Sequence, residues 1–463
     1  MNRRNLLRGS LGVTAAGALG GLVASGAEGA PQLPSDAEIY GVTTVDPLIS
    51  QRADPWITKV AGTYYFTGSV PEYDRLVVRG SSTIAGLAGA EESVIWRRPA
   101  TGTMGGHIWA PELHRIGGKW YLYFAAGDAG DVFRIRTYVM ESALDDPRDP
   151  AGWSLKGQLI TEWDGFTLDA TSFHHRGKHY LVWAQSEPEI AVNTSLYIAE
   201  MANPWTLKSK PTRITTPTRS WEIQGYKVNE GPAVLIRNGK VFLTFSASAT
   251  DARYCMGLLT ADAGANLLKR ESWVKTPDPI FVTSEATNRW GPGHNSFTVA
   301  EDGKTDVLVY HARDYRDITG DPLYDPNRHT RVQKLYWHED GTPLFGIPVG
   351  DGGPIVRLSP DRNHFVRHVG DAFHVERSPR ALEQTQFRFL KAADGTETVQ
   401  SVDQPAKFLT VSGTTVSLST TGTPVTRTAT RDGVTIRVAP GRYLRSAAGR
   451  LTVGDKATAF KLS

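Results

Sequence analysis

Polar turns and apolar strands alternate along most of this chain, and the alternation repeats five times at nearly constant spacing. Each repeat places a glycine in a short polar turn, at positions 62, 118, 177, 239 and 303, so the steps are 56, 59, 62 and 64 residues. The apolar and aromatic runs beside these turns lack the periodicity of a long amphipathic helix. Units of about four strands at this period are typical of propeller blades. The pattern predicts an all-β fold with a five-bladed β-propeller over residues 31–352.

The pattern changes after about residue 350, where the predicted strands become poor in aromatic residues and rich in Val, Thr and Ser. Three strand starts contain Phe365, Phe408 and Tyr443, at steps of 43 and 35 residues. Three units of this size fit the lobes of a β-trefoil. We therefore expect a linker over residues 353–361, followed by a β-trefoil domain over residues 362–463.

The first thirty residues have the composition of an export signal. Arg3 and Arg4 form a twin-arginine pair, and a mildly apolar stretch rich in Gly and Ala follows over residues 11–23. That stretch is too short and too weakly apolar to span a membrane. We expect residues 1–30 to be a twin-arginine signal peptide that directs secretion.

Composition and charge exclude several classes of function. The formal net charge is +3, and no basic stripe is interleaved with aromatic residues, so nothing indicates a nucleic-acid partner. The single cysteine, Cys255, allows no intrachain disulfide and no zinc-binding cysteine pattern. We expect a monomer that does not bind a membrane once the signal is removed.

The starts of the five predicted innermost strands carry the candidate chemistry. Reading back from each turn glycine gives Asp54, Trp109, Asp169, Glu230 and His294 in successive blades. Three carboxyl groups in one closed pocket repel one another, so at least one should stay protonated near neutral pH. A protonated acid facing an ionised base is the apparatus of glycoside hydrolysis. Asp-Pro before a strand is also an ordinary turn sequence, but the agreement among repeats favours function.

Residues 38–350 resemble the family 43 glycoside hydrolases, which are five-bladed propellers with Asp, Asp and Glu in that chain order. Runs near residues 66–75 and 321–329 are similar to the exo-acting α-L-arabinofuranosidase branch, which removes terminal arabinose from α-1,5-linked arabinan. The axial segments that carry the resemblance are Arg52-Ala53-Asp54-Pro55-Trp56-Ile57, Trp109-Ala110-Pro111-Glu112, Leu168-Asp169-Ala170-Thr171, Val228-Asn229-Glu230-Gly231-Pro232 and Gly293-His294-Asn295-Ser296.

The resemblance implies an inverting mechanism and a role for each carboxyl group. Asp54 would be the general base that activates water, and Glu230 would be the general acid that protonates the leaving oxygen. Asp169 would raise the pKa of Glu230 and hold both sugar and acid in place. The expected substrates are arabinan, arabino-oligosaccharides or arabinoxylan.

Three further residues are candidates with simple structural alternatives. Trp109 would stack on the sugar, or pack between blades. Arg331 would orient a carboxylate or a sugar hydroxyl, or lie solvated at a strand edge. The resemblance implies no cofactor for the chemistry, but it implies a structural calcium at the axis that His294 contacts through waters; a hydrogen-bonded core histidine is the alternative.

The C-terminal hundred residues resemble the family 42 arabinofuranose-binding modules, which are β-trefoils. His368, Tyr443 and Asp455 are the sugar-binding candidates on this resemblance. The lobes keep the pattern incompletely, so a purely structural trefoil is the alternative.

Rival functions come from the same fold and from another class. An endo-arabinanase or a β-xylosidase would share the propeller and the three carboxyl groups, since a fold alone does not select a substrate. A non-catalytic sugar-binding propeller would bind without turnover, yet it needs no proton-donating acid. Loops that carry Tyr73, Trp109 and Trp290 could close the cleft, which favours exo cleavage.

Overall fold

The computed structural model describes residues 46–462 except 339, 349–355, 378, 380–381, 393, 402–403 and 405–406. The predicted signal peptide and the first residues of the predicted linker, 353–355, lie outside the described residues. In the described part of the chain, no helix has the length and hydrophobicity needed to cross a membrane.

The described residues fold almost entirely into antiparallel strands, and the first five sheets follow one another along the chain as the blades of a propeller. The prediction of a five-bladed β-propeller in an all-β chain is confirmed. The blade strands, from first to last blade, are Ala53–Val60, Thr63–Ser69, Arg75–Ser81 and Ser93–Arg97; Ile108–Ile116, Lys119–Ala126, Arg136–Ser142 and Trp153–Gln158; Thr167–His175, Lys178–Gln185, Ser195–Asn203, Thr206–Leu207 and Thr212–Thr215; Asn229–Arg237, Lys240–Ala247, Cys255–Asp262 and Val274–Lys275; Trp290–Val299, Asp306–Arg313 and His329–Lys334.

Short 3₁₀ helices and one extra hairpin connect these strands. The hairpin pairs Tyr336–Trp337 with Pro343–Leu344. The 3₁₀ helices are Ala85–Ala88, Pro150–Gly152, Ser220–Glu222, Arg270–Ser272, Glu285–Thr287, Pro322–Tyr324 and, in the C-terminal region, Leu382–Thr385.

The repeated glycine turns join the first two strands of each blade. In the fourth blade Asn238 and Gly239 both have positive φ, 51° and 71°, and Arg237 pairs directly with Lys240. Two consecutive residues with positive φ form the type I′ turn, whose twist matches that of a hairpin. This is why a glycine stands at the end of each turn. The fifth blade has a longer turn, because Val299 and Asp306 are the paired residues nearest to it.

The chain closes the ring of blades near its first described residues. The backbone N–H groups of Leu48 and Ile49 donate to the carbonyl of Thr330, and Ile49 pairs with Thr330 in an antiparallel bridge. The fifth blade therefore receives an outer partner from the N-terminal side of the propeller. Such a closure protects the strand edge that would otherwise remain unpaired.

The C-terminal region is one twelve-stranded antiparallel sheet. Its three hairpins contact one another, because the strands Ala372–Arg377, Thr415–Ser419 and Arg450–Gly454 pair pairwise in all three combinations. The remaining strands of this sheet are Val356–Ser359, His364–Val369, Gln386–Lys391, Glu397–Ser401, Phe408–Ser412, Thr426–Thr430, Gly433–Ala439, Arg442–Ala447 and Lys461–Leu462.

Two buried polar side chains join this sheet to the propeller. The guanidinium of Arg388 donates to the carbonyls of Ile347 and Pro348, at 2.7 and 2.8 Å. On the propeller side, the amide of Gln333 donates to the carbonyls of Phe345 and Ile347. The segment between the two regions is thus fixed from both sides by hydrogen bonds.

Candidate active site

The five innermost strands share one unusual backbone conformation near their starts. Asp54, Ala110, Asp169, Gly231 and His294 have φ values of 52°, 45°, 54°, 52° and 44°. A positive φ is costly for the four residues that carry a side chain, and such strain concentrates at functional sites. Because this conformation recurs in all five blades, it identifies the structurally equivalent position of each blade. The shared conformation directs these residues toward the axis.

This equivalence corrects the alignment of two blades: Ala110, not Trp109, holds the equivalent position of the second blade, and the fourth blade is offset in the same way. The sequence repeats predict Glu230 at the position equivalent to Asp54 and Asp169, whereas Gly231 holds that position and Glu230 precedes it by one residue. A Cβ added to Gly231 would lie 3.1 Å from the ring of His294, so a side chain would collide there. Successive strand residues point in opposite directions, and the offset therefore gives Glu230 a different approach to the axis.

The axial residues line a cavity of about 860 Å³. It brings together Asp54, Asp169, Glu230, His294 and Trp109, all of which sequence analysis selected. The other lining residues are Ala110, Phe133, Phe166, Leu168, Ser186, Val192, Asn193, Thr194, Gly225, Tyr226, Val228, Ser248, Ala249, Thr250, Asp251, Arg253, Tyr254, Asp321, Pro322, Leu323 and Arg328.

Asp54 lies among hydrogen-bond donors and nitrogen-bearing side chains. Its Oδ2 accepts a hydrogen bond from the Ser69 hydroxyl at 2.5 Å, and its Oδ1 lies 3.4 Å from the Arg328 guanidinium. The Nδ1 atoms of His294 and His311 lie 3.2 and 3.4 Å from the same oxygen. Burial alone would raise the pKa of Asp54, but these neighbours outweigh it and hold that pKa well below its ordinary value. Asp54 is therefore ionised, as a general base must be.

Asp169 and Glu230 differ from Asp54, because their pKa values are raised. Burial, opposed by the hydrogen bond from Tyr254 and the charge of Arg328 and assisted by the charge of Asp54, raises the pKa of Glu230 to about 7. Burial, and then the charges of Glu230 and Asp54, also raise the pKa of Asp169. The two carboxyl groups titrate as a unit and retain a proton near neutral pH.

Two rings, which sequence analysis missed, connect the two sides of the cavity. The Tyr254 hydroxyl donates to Oε1 of Glu230 at 2.8 Å. The Tyr254 ring stacks on His311 with an interplanar angle of 7°, and His311 Nδ1 accepts the backbone N–H of Asp54 at 3.1 Å. One stacked pair thus contacts both the ionised and the protonated side of the site. His311 lies in a second strand and Tyr254 directly precedes a third strand, where no axial motif marked them.

Arg331 does not reach the cavity, which corrects its selection as a substrate-binding residue. Its side chain is fully buried and forms ion pairs with Asp46 and Asp314. Arg328, three residues earlier, lines the cavity instead and donates to the hydroxyl of Tyr73 at 2.8 Å. Arg328 follows a loop while Arg331 lies inside the strand His329–Lys334, and only the fold separates the two.

Trp109 lies in the cavity wall with its ring stacked on His107, at 4.9 Å between centroids and 23° between planes. Its indole N–H is buried and has no hydrogen-bond partner among the described residues, and the same is true of Nε of Arg328. Buried donors normally have partners, so these two atoms are exceptions in the cavity wall. Trp290 is not part of the cavity lining; its indole donates to Asn288.

The surroundings of His294 do not fit direct calcium binding. Calcium takes six to eight oxygen ligands, whereas His294 faces the carboxylate of Asp54 together with the cationic Arg328 and the ring of His311. Among the described residues, no group of three or more His, Cys, Asp or Glu side chains is placed to hold a metal ion. A calcium that His294 contacts through waters stays a prediction, and the proposed hydrolysis does not depend on it.

The three sugar-binding candidates of the C-terminal region differ in burial and in hydrogen-bond partners. His368 is buried, and its ring nitrogens lie within hydrogen-bonding distance of the Gly370 carbonyl and the Ser401 hydroxyl. It therefore supports the sheet and has no free edge for a sugar, which corrects its selection. Tyr443 is half-buried and pairs with Gly454, the neighbour of the exposed Asp455.

Comparisons with known proteins agree with this geometry. The model of the glycosyl hydrolases family 43 matches residues 45–343. The chain is 55% identical over 375 residues to an extracellular exo-alpha-(1->5)-L-arabinofuranosidase of Streptomyces avermitilis, covering 80% of this chain and 76% of the relative. It is 51% identical over 415 residues to alpha-L-arabinofuranosidase 43 of Humicola insolens, covering 86% and 85%.

A solved structure resembles the propeller. The alpha-L-arabinofuranosidase from Lactobacillus brevis superposes with a TM-score of 0.65 at 54% sequence identity, over 66% of this chain and 97% of that chain. The similarity therefore covers a share of the chain comparable to that of the five blades.

Proposed function

The chain belongs to glycosyl hydrolase family 43 and is a glycoside hydrolase, and from that premise we propose that it is an exo-acting α-L-arabinofuranosidase. Its substrates are α-1,5-linked arabinan and arabino-oligosaccharides, with arabinoxylan as a further source of terminal arabinose. Two relatives, 55% and 56% identical, are named extracellular exo-alpha-(1->5)-L-arabinofuranosidase, and they support the substrate. The observation that carries the chemistry is the contrast between ionised Asp54 and the proton-sharing pair of Asp169 and Glu230 in one cavity.

The roles of the carboxyl groups follow from this contrast. Asp54 takes a proton from a water whose oxygen attacks the anomeric carbon. The glycosidic bond breaks as its electron pair passes to the leaving oxygen, which accepts the proton of Glu230. Asp169 and Glu230 repel each other when both are ionised, so the pair keeps a proton, and the Gly231 N–H holds Asp169 in place, 2.9 Å from its Oδ2.

Trp109 and Arg328 bind the sugar in this proposal. The guanidinium of Arg328 donates to a sugar hydroxyl, and the Trp109 ring supplies an apolar face. Arg328 also helps to keep Asp54 ionised, because its guanidinium lies beside that buried carboxylate. The chain acts as a monomer and needs no cofactor for this reaction.

The C-terminal region is proposed to be a β-trefoil that binds arabinofuranose. Six strands support a closed barrel, since Val356–Ser359 pairs with both Gln386–Lys391 and Lys461–Leu462. Bridges at Glu397 to Val425 and at Val434 to Phe460 also support this ring. The three mutually paired hairpins support a cap over such a barrel. Asp455, with Tyr443 nearby, is the sugar-binding candidate that remains.

Secretion is part of the proposal, because the Streptomyces avermitilis relative is named extracellular. The twin-arginine pair of Arg3 and Arg4 would direct that export. A fusion of residues 1–30 to a reporter that folds before export should reach the medium, and replacing both arginines with lysine should stop it.

Product analysis tests the activity itself. The protein should release only arabinose at early times from linear arabinan, and proton NMR should show the β anomer first from the α-linked substrate. A ladder of oligosaccharides would indicate an endo-arabinanase, and release of xylose from xylan would indicate a β-xylosidase. Binding to these polymers without any product would leave only a sugar-binding propeller.

A further inference from the structure

Two arginines lie buried where the C-terminal sheet meets the propeller. Arg357 and Arg388 are each 1% exposed. The Nη groups of Arg388 donate to the carbonyls of Ile347 and Pro348. Arg357 donates from Nε to the Thr385 hydroxyl at 2.7 Å. Among the described residues, all these acceptors are uncharged, and neither guanidinium forms an ion pair with a carboxylate.

Gln386 lies beside both arginines on one face of the C-terminal sheet. It pairs directly with Arg357 on the adjacent strand, and Arg388 follows two residues later on its own strand. Directly paired residues have Cβ atoms about 4.5–5.5 Å apart, and residues two apart on a strand point to the same side. The alternate residues of the two strands belong to the hydrophobic core of the sheet: Val356, Leu358, Phe387 and Phe389. The three polar side chains therefore face away from that core.

Each of these three side chains has a buried polar atom without a hydrogen-bond partner in the described part of the chain. The atoms are Nη1 of Arg357, Nε of Arg388, and both Nε2 and Oε1 of Gln386. The Gln386 side chain is completely buried. Buried polar groups normally have partners, and an exception indicates a bound water or ion. Because the three exceptions are neighbours, they favour one shared partner.

The charge at this junction favours an anion over water as that partner. Burial lowers the pKa of Arg357 and of Arg388 to about 10, so both side chains remain cationic at neutral pH. On the propeller side, Asp46 and Asp314 are already shared by two further buried arginines, Arg289 and Arg331. Unpaired buried charges are costly. Water satisfies an N–H group but offsets none of this positive charge, whereas an anion does both.

The donors that remain fit a small monovalent anion. Oxyanions such as phosphate are commonly held by two parallel N–H groups of one guanidinium. Arg388 cannot supply such a fork, because its Nη groups already bind carbonyl oxygens and only Nε–H is left. Chloride is spherical and accepts single N–H groups from several directions, as these three side chains offer them.

We propose that a chloride ion binds at this junction to Nη1 of Arg357, Nε of Arg388 and the side-chain amide N–H of Gln386. The ion offsets part of the buried positive charge. Because Arg388 also binds the carbonyls of Ile347 and Pro348, the ion strengthens the attachment of the C-terminal sheet to the propeller. None of its three ligands lines the catalytic cavity, so this inference does not depend on the proposed hydrolysis.

Thermal unfolding of the full chain tests the site in solution. At constant ionic strength, replacing gluconate by chloride should raise Tm on the order of 2–4 °C once chloride exceeds its Kd about tenfold. Arg357→Met and Gln386→Leu each remove a ligand and keep a side chain of similar length, so both should abolish this rise. Arg437→Met is the matched control, because Arg437 is an exposed arginine of the same sheet. It should keep the full dependence on chloride.

Bromide substitution tests the position of the ion and needs only the wild-type protein, so it does not depend on the folding of any variant. Bromide resembles chloride in charge and shape and scatters X-rays anomalously. Crystals of the full chain grown with bromide in place of chloride should show an anomalous peak within hydrogen-bonding distance of Arg357 Nη1 and Arg388 Nε.

Either measurement can overturn the inference. A junction that holds only water in the bromide crystals would show that the arginines are stabilised without an anion. An equal rise of Tm with chloride in the wild type, Arg357→Met and Gln386→Leu would place the effect of chloride elsewhere on the protein. The bromide peak together with a loss of the rise in these two variants alone would establish the site.

Discussion

The propeller and the C-terminal sheet are both built from repeats, yet the repeats distribute side chains in opposite ways. In the propeller, equivalent positions of five blades meet at one axis, so residues as distant in sequence as Asp54 and His311 touch. In the C-terminal sheet, candidates from different repeats stay apart: His368 is buried, while Tyr443 and Asp455 lie in another hairpin region. Chemistry that needs several groups together therefore requires convergence, whereas single binding contacts do not.

The two regions also differ in how they carry charge. At the axis, Asp54 and Asp169 are almost completely buried and their pKa values move in opposite directions. In the C-terminal sheet, ion pairs such as Arg427 with Glu397 and Lys407 with Asp371 remain partly exposed, and the buried guanidinium of Arg388 binds two carbonyl oxygens. Buried charges are expensive, and a fold retains them where their perturbed pKa values are useful. We therefore expect mutations of charged residues to have larger effects at the axis than in the C-terminal sheet.

Removal of the axial carboxyl groups should have the largest effect. Asp54→Asn should lower kcat/KM on the order of 100- to 10,000-fold for every substrate, because no base then activates water. Glu230→Gln should cause a similar loss with arabinotriose but a smaller one with an aryl arabinofuranoside whose leaving group needs little protonation. Steady-state kinetics on both substrates measures the contrast. Equal losses for both variants on both substrates would contradict the assigned roles.

The two arginines near residue 330 should separate activity from stability. Arg328→Ala should lower kcat/KM roughly 10- to 100-fold, because a charge-assisted contact at Asp54 and with the sugar is lost. Arg331→Ala should leave the kinetics of the folded protein unchanged and lower the free energy of unfolding by about 3 kcal/mol, since Asp46 and Asp314 lose their partner. Denaturant unfolding measures the change in stability, and steady-state kinetics measures the change in activity. A kinetic defect confined to Arg331→Ala would reverse the roles assigned to the two arginines.

Tyr254→Phe should shift a pH profile without abolishing activity. The Tyr254 hydroxyl stabilises the ionised form of Glu230, so its loss raises the pKa of Glu230 above about 7. Activity requires protonated Glu230 and falls as pH rises through that pKa, so the alkaline limb of kcat/KM should move upward by about one unit. The acidic limb should stay, because Asp54 keeps its other neighbours. A shift downward would show that the hydroxyl does not stabilise the carboxylate.

The C-terminal sheet should give the smallest effect. Asp455→Ala should weaken retention on insoluble arabinan roughly two- to fivefold, since one hydrogen-bonding carboxylate is lost. Its kcat/KM for arabinotriose should not change. Asp432→Ala is the matched control, because Asp432 is also an exposed aspartate of this sheet. If both variants bind the polymer as the wild type does, the sheet has a structural role only.

The sequence by itself determined the features that repeat locally. The five turn glycines, the number of blades and the choice of Asp54, Asp169 and Glu230 all follow from residues close in the chain, because a hairpin turn and a strand start are local structures. The end of the propeller and the change of strand character near residue 350 were visible for the same reason.

Only the tertiary structure decided which side chains share the axis. The offset of Glu230 from Gly231 depends on a backbone bulge that composition does not reveal. The exchange of Arg331 for Arg328, and the pairing of His311 with Asp54 across 257 residues, depend on strand faces that meet after the ring of blades has closed. A side chain's partners, and with them its pKa, are set by those long-range contacts, which neighbouring residues in the sequence do not encode.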